Sequence, residues 1–180
     1  RALDAVSLAN RLAAFLWSGP PDEELMRVAA DGSLLEEEIL LEQTERMLGH
    51  PRAKEFYEGF ITQWIHLKRL ESVGLSTRFF LHFTDGYLLS MKQEPVEFFK
   101  ILVEENLPSA NLIDSDFVAI NGVLAAKYGL TDHYTGDGFQ KVSLPAGSPR
   151  GGLTTQAAFL AIGTMAVSYT HLTLPTIRLV

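Results

Sequence analysis

Cysteine is absent from all 180 residues. Its absence excludes disulfides, thiolate metal ligands, a cysteine nucleophile and covalent c-type haem attachment within this stretch. Long apolar runs are missing as well. The longest reach about a dozen residues, short of the roughly 20 that a membrane-crossing helix needs. Basic residues are outnumbered, 15 against 22 acidic, for a formal net charge of −7. They form no stripe, and phosphate contact needs clustered Lys and Arg, so composition argues against nucleic acid and against anionic membrane surfaces. No signal-peptide layout is present, and the chain opens on Arg1 rather than Met, which suggests an internal fragment.

What remains is ordinary globular material: 47% hydrophobic and 21% charged residues, enough for a real core in one domain or in one domain plus the start of another. Leu8, Leu12 and Phe15, extended by Ala5, Ala9 and Leu16, make an apolar stripe that predicts a helix from Leu3 to Trp17. Ser18-Gly19-Pro20-Pro21 stops it. Asp22, Glu23 and Glu24 suit the positive end of a second helix, closed near Gly32. A third helix opens on Glu36–Glu38 with Leu40, Leu41, Thr44, Met47 and Leu48 on one face, and breaks at Gly49-His50-Pro51. In a fourth, Ala53, Phe56, Tyr57, Phe60, Ile61, Trp64 and Leu67 follow helical spacing without a miss, a stripe expected to be buried.

A loop is expected from about Lys68 to Phe83, with a turn around Ser76–Leu81. Thr84 or Asp85 then caps a long helix carrying Leu88, Met91, Phe98, Phe99, Leu102 and Val103. Pro95 lies inside that pattern and is expected to kink or split it. Ser109–Asp114 suggests a capped turn, Phe117–Ile120 a short extended piece, and Asn121 the cap of a helix running to Tyr128 and closed by Gly129. Phe139–Leu144 is a candidate strand, and a last helix starts near Gly152. The fold class is therefore all-α, an irregular bundle of about six to seven helices with at most a short β element.

The candidates for chemistry are few. Ser148-Pro149-Arg150-Gly151-Gly152-Leu153 joins a rigid proline, a cation and two glycines to a helix start. Backbone amides of Gly151 and Gly152 with Arg150 could hold an anion or brace a neighbouring domain. It is neither a P-loop nor a dinucleotide fingerprint, and Ser148 lacks the flanking glycines of a nucleophile elbow. A structural turn, with Arg150 paired to a nearby carboxylate, is the stronger reading. His50, His66, His82 and His133 show no metal-ligand spacing. Asp114, Asp116, Asp132 and Asp137 lack the calcium-loop pattern and suit turns and caps. No catalytic, cofactor-binding or metal-ligating residue is assigned.

The stretch Val167–Thr176 is similar to the translation of a transposase-type sequencing adapter, with Ile177–Leu179 as a sample index and Val180 before a stop. On that reading His171 and Arg178 carry no functional weight, and residues 167–180 are a non-native tail on a truncated metagenomic fragment.

Several segments, in order, resemble one family: Leu12–Ser18 followed by Pro21–Leu25, then Arg46-Met47-Leu48, Gln63-Trp64, Ile113–Phe117, Tyr128-Gly129-Leu130 and Ser148–Leu153. They are similar to the planctomycete-type, cytochrome-associated domain of unknown function, over nearly all of residues 3–148. The last segment resembles the entry to a second cytochrome-associated domain. The resemblance implies a helical domain over residues 1–147 and a truncated start of the next module over 148–166. It also implies an exported parent, periplasmic or in the cell envelope, whose other domains carry c-type haem. The implied partners are neighbouring domains of the same polypeptide, and the implied role is a non-catalytic scaffold. Two alternatives stand beside it. One is a carboxylate-based enzyme domain, directed at polysaccharide and using carboxylates from Asp114, Asp116, Asp132 and Asp137. The other is a protein-interaction domain using an aromatic patch near Trp17 or Trp64.

Overall fold

Asp4 starts the first helix by accepting a hydrogen bond from the Ser7 backbone N–H at 2.9 Å, which satisfies one of the free donors of the first turn. The helix it caps is α1, Ala5–Trp17. The computed structural model describes residues 3–72 and 84–163. The turn expected around Ser76–Leu81 and the adapter-like stretch from Val167 to Val180 both lie outside these residues.

The chain forms two compact units, Arg1–Phe60 and Ile61–Val180. In the first, α1 is followed by α2 (Glu23–Ala30), a 3-10 turn at Ser33–Leu35, α3 (Glu37–Leu48) and the first part of α4 (Lys54–Trp64). Ala5, Ala9, Ala13 and Leu16 form the buried face of α1, packed with Leu25, Val28, Ala29, Leu34 and Met47. Alanine at three successive turns removes side-chain bulk, so neighbouring backbone can approach closely. Phe15 does not join them: it is 61% exposed, its ring 5.0 Å from that of Phe56.

Three of the motif segments meet in this unit. Trp17 is buried and donates its indole N–H to the Met47 carbonyl at 3.0 Å. The Arg52 guanidinium lies 4.5 Å from the Trp17 ring centre. Arg46 grips Asp22 with two nitrogens, at 2.7 and 3.0 Å, while the same carboxylate caps α2 through the Leu25 N–H. One side chain thus starts α2 and ties it to α3.

In the second unit, the 3-10 segment Leu67–Ser72 precedes α5 (Asp85–Glu104), capped by Thr84. After a 3-10 turn at Ser109–Leu112 come β1 (Phe117–Ile120), α6 (Gly122–Tyr128), a 3-10 turn at Thr131–His133 and β2 (Gln140–Ser143). The strands pair antiparallel, Phe117 opposite Ser143 and Ile120 opposite Gln140. A further 3-10 turn, Leu153–Thr155, leads into helical residues 157–163. Among the described residues the architecture is mostly α with one small two-stranded sheet, as the sequence pattern implies.

Three expectations are corrected. The stripe of α4 is only half inside: Tyr57 and Ile61 are buried, but Phe60 is 39% and Trp64 49% exposed. Helical spacing reports a shared face, and that face is wider than the surface covering it. In α3, Leu41 is likewise exposed while Gln43, off the expected stripe, is buried. Finally, Pro95 does not split α5, which stays helical from Asp85 to Glu104 with the proline ring buried. Burying an apolar ring offsets part of the cost of the backbone hydrogen bond that proline cannot donate.

Candidate functional site

The segment from Ser148 to Ala157 is inserted into the second unit. Leu153 is buried in the same cluster as Phe98, Leu102, Phe117 and Ala119, where the Phe98 and Phe117 rings stack at 5.1 Å. Gly151 and Gly152 make this entry possible. A Cβ on Gly151 would lie 2.5 Å from the Ser115 carbonyl oxygen. On Gly152, whose φ is +69°, it would collide with the Ile113 carbonyl and lie 2.8 Å from the Leu112 oxygen. Both positions therefore need glycine for space, and Gly152 needs it for conformation too. Ser115 is itself buried, its hydroxyl bonded to the Phe117 backbone. The Ile113–Phe117 and Ser148–Leu153 segments, 35 residues apart at Ser115 and Arg150 in the numbering, form one backbone-to-backbone joint.

Local hydrogen bonds fix the turn. The Gly151 N–H donates to Thr155 Oγ1 at 2.9 Å, and that hydroxyl returns to the Gly151 carbonyl at 2.9 Å. The Arg150 N–H reaches Ser148 Oγ, and Arg150 Nη1 donates to the Thr155 carbonyl at 3.3 Å. Arg150 makes no ion pair with a carboxylate among the described residues, in contrast to the pairing expected from sequence. Its guanidinium carbon lies 3.6 Å from the centre of the Tyr128 ring instead, a cation–π contact.

At the hydroxyl of that ring is a group that the sequence reading passed over. Glu94, on α5, is fully buried. The Tyr128 hydroxyl donates to its Oε2 at 2.6 Å. The Ala157 N–H, in the first turn of helical residues 157–163, lies 3.1 Å from the Tyr128 hydroxyl and 3.4 Å from Glu94 Oε2. Glu94 Oε1 has no hydrogen-bond partner among the described residues, nor has either amide atom of the buried Gln156 beside Ala157. Burial raises the Glu94 carboxyl to about 7, against smaller lowering effects of Tyr128, the Ala157 N–H and Arg150. Burial, then the neighbouring Glu94, raises the Tyr128 hydroxyl. Tyr87, two turns before Glu94 on α5, is raised in the same way.

Position 94 was legible only weakly. Met91, Phe98 and Leu102 predict a buried face, and Glu94 lies on it at the three-four spacing. A carboxylate on an apolar helix face was the available signal.

Asp114, Asp116, Asp132 and Asp137 are all exposed. His50 caps the 3-10 turn Pro51–Ala53 through Nδ1 and packs on Trp17 at 4.8 Å. His66 and His133 are exposed, and His82 lies outside the described residues. No group of three His, Asp or Glu side chains able to hold a metal occurs among the described residues, and none of their helices is long and apolar enough to cross a membrane.

A family model described as PSD4, protein of unknown function (DUF1592), matches residues 3–130. The chain belongs to this family. No curated protein and no solved structure matches it. The DUF1592 match includes Glu94 and Tyr128 and stops before the Ser148–Ala157 segment that packs on them. The site is therefore assembled from the family's matched region and from chain that follows it.

Proposed function

We propose that this chain is a non-catalytic helical scaffold module of a large exported bacterial protein whose other domains carry c-type haem. On this reading, residues 148–166 begin the next cytochrome-associated module, and its entry is locked onto the DUF1592 domain. The observation that carries the reading is the joint at Gly151 and Gly152, where two segments meet with no space for a Cβ. A flexible linker needs no such fit; a brace that fixes the direction of the following domain does. The association with cytochrome domains comes from the motif resemblance, and the DUF1592 match over residues 3–130 accords with that resemblance. The exposed positions of the four aspartates give the carboxylate-enzyme alternative no support.

Recovery of the full-length gene on both sides of this stretch tests the proposal. The expected result is at least one Cys-x-x-Cys-His motif elsewhere in the reading frame, behind an export signal, and a product that stains for covalent haem. A full reading frame without that motif overturns it.

A further inference from the structure

Glu94 is a costly residue to bury without purpose. An ionised carboxylate loses its hydration in such a place, and only strong partners compensate. Here one oxygen accepts from Tyr128 and weakly from Ala157, and the other has no partner. Arg150 is close by, yet its guanidinium is committed to the Tyr128 ring and the Thr155 carbonyl. The groups facing Glu94 are Tyr128 from α6, Arg150 and the Ala157 N–H from the junction segment, and Tyr87 from its own helix. None supplies an ion pair within the packed arrangement. The unpartnered atoms of Glu94 and Gln156 are sealed from solvent, and the junction segment, through Gln156 and Ala157, forms one wall of that seal.

We propose that Glu94 is a proton-operated catch on the junction: the 148–157 segment is seated while the carboxyl is protonated and loosens when the proton leaves to solvent. The neutral acid still accepts from Tyr128 through Oε2 and carries no charge, so its burial costs less than that of the anion. Loss of the proton leaves a buried anion. Two movements relieve it, entry of water beneath the segment or withdrawal of Arg150 from the Tyr128 ring to pair with the carboxylate, and both undo contacts that hold residues 150–157.

The direction of the pH effect follows from linkage. A carboxyl that titrates higher when seated than in the open segment binds its proton more tightly in the seated state. Seating is then fully favoured below the ordinary value of 4.5, weakens as pH rises from there to about 7, and is level above that. The proposal rests on the segment being a brace and not on haem. A parent gene without haem motifs leaves it standing, and a pH-independent segment leaves the haem reading standing.

Backbone amide exchange on this chain, corrected for the intrinsic pH dependence of exchange, tests it. Protection at Ala157 and Leu160 is expected to fall at least about tenfold between about pH 5 and pH 7.5, with amides of α1 to α3 changing less than about twofold. In Glu94→Gln the protection is expected to be equal at both pH values. Should that variant fail to fold, Tyr128→Phe provides the second reading. It removes the hydroxyl that favours the anion, so the fall, read at Leu160 because the Ala157 N–H loses the Tyr128 oxygen, is expected to start at the same pH and run on to higher pH than in the wild type. Protection that ignores pH, a fall that persists in Glu94→Gln, or a Tyr128→Phe fall that ends at the wild-type pH each overturns the proposal.

Discussion

The Arg150 guanidinium packs against the Tyr128 ring, 3.6 Å from its centre, while the hydroxyl on that ring donates to buried Glu94 at 2.6 Å. One tyrosine therefore links a cation on the junction segment to a carboxyl on α5. Arg150 lowers the Glu94 carboxyl, a smaller effect than the burial that raises it. Replacing Arg150 with Ala removes that opposing charge and the stacked face together. The Glu94 titration is expected to move upward in Arg150→Ala, and stability to fall by about 1–2 kcal/mol. Carbon-detected NMR of the glutamate carboxyls, with urea melts, measures both. A downward move contradicts the placement of Arg150.

Glu94→Gln separates burial from charge. Its effect on stability should depend on pH with a fixed sign. Because folding raises this carboxyl, its protonated form contributes stability below about 4.5, and that contribution declines up to about 7. The glutamine variant has no proton to lose. It is expected to match or fall slightly below wild type at about pH 4.5, and to exceed it by roughly 1–3 kcal/mol at about pH 7.5. Urea denaturation at the two pH values gives the difference directly. A variant weaker than wild type at both would mean that Glu94 is seated as an anion.

The glycines at the joint make the sharpest stability prediction. A methyl group at position 152 meets the Ile113 and Leu112 carbonyls and forces a left-handed φ on a residue with a Cβ. Gly152→Ala is expected to cost about 3 kcal/mol or more, because the obstructing atoms are backbone and cannot rotate away. Gly136→Ala is the control, since its nearest obstacle is the Gln140 side chain at 3.2 Å. Thermal melts of the two variants should differ by several degrees.

Much of this fold was open to reading because it is written in local signals. Thr84 and Asn121 cap α5 and α6 where the sequence places them, and Gly129 ends α6. The short pairing of Phe117–Ile120 with Gln140–Ser143 was foreshadowed by two extended stretches. What stayed hidden depends on partners far along the chain. Trp64 and Phe60 follow helical spacing as faithfully as Tyr57, and only the extent of the covering surface leaves them half exposed. Pro95 breaks a helix in isolation but is held in α5 by burial. Glu94 becomes a site only because Tyr128 and Ala157, 34 and 63 positions away, converge on one of its oxygens. The glycine pair drew attention from sequence alone; the carbonyls that demand glycine there did not.

In the first unit, Trp17 is the residue on which the motif segments close. It is buried, bonded to the Met47 carbonyl and flanked by Arg52 and His50. Trp17→Ala is expected to lose about 3–5 kcal/mol through the cavity it leaves. Trp17→Phe fills most of that space and should cost less, since Met47 also accepts from the Gly49 and His50 backbone N–H groups. Chemical denaturation ranks the two variants, and equal losses would place the hydrogen bond above the packing.

Asp22 supplies a pH dependence of the opposite sign to that of Glu94. The Arg46 guanidinium, ahead of the Leu25 N–H, holds its carboxyl below the ordinary value of 3.8. A carboxyl lowered by folding contributes stability above its unfolded value and loses it as pH falls through the folded one. Acidification below about pH 4 should therefore loosen α2 against α3 while the Glu94 site stays protonated and seated. Asp22→Asn should abolish the first effect alone, since an asparagine caps a helix nearly as well as aspartate but cannot pair with Arg46 as an anion. Amide exchange at Leu25 and Met26 against that at Ala157, followed from about pH 5 to pH 3, distinguishes the two units. Simultaneous loss at both places would show that acid acts on the chain as a whole and not through Asp22.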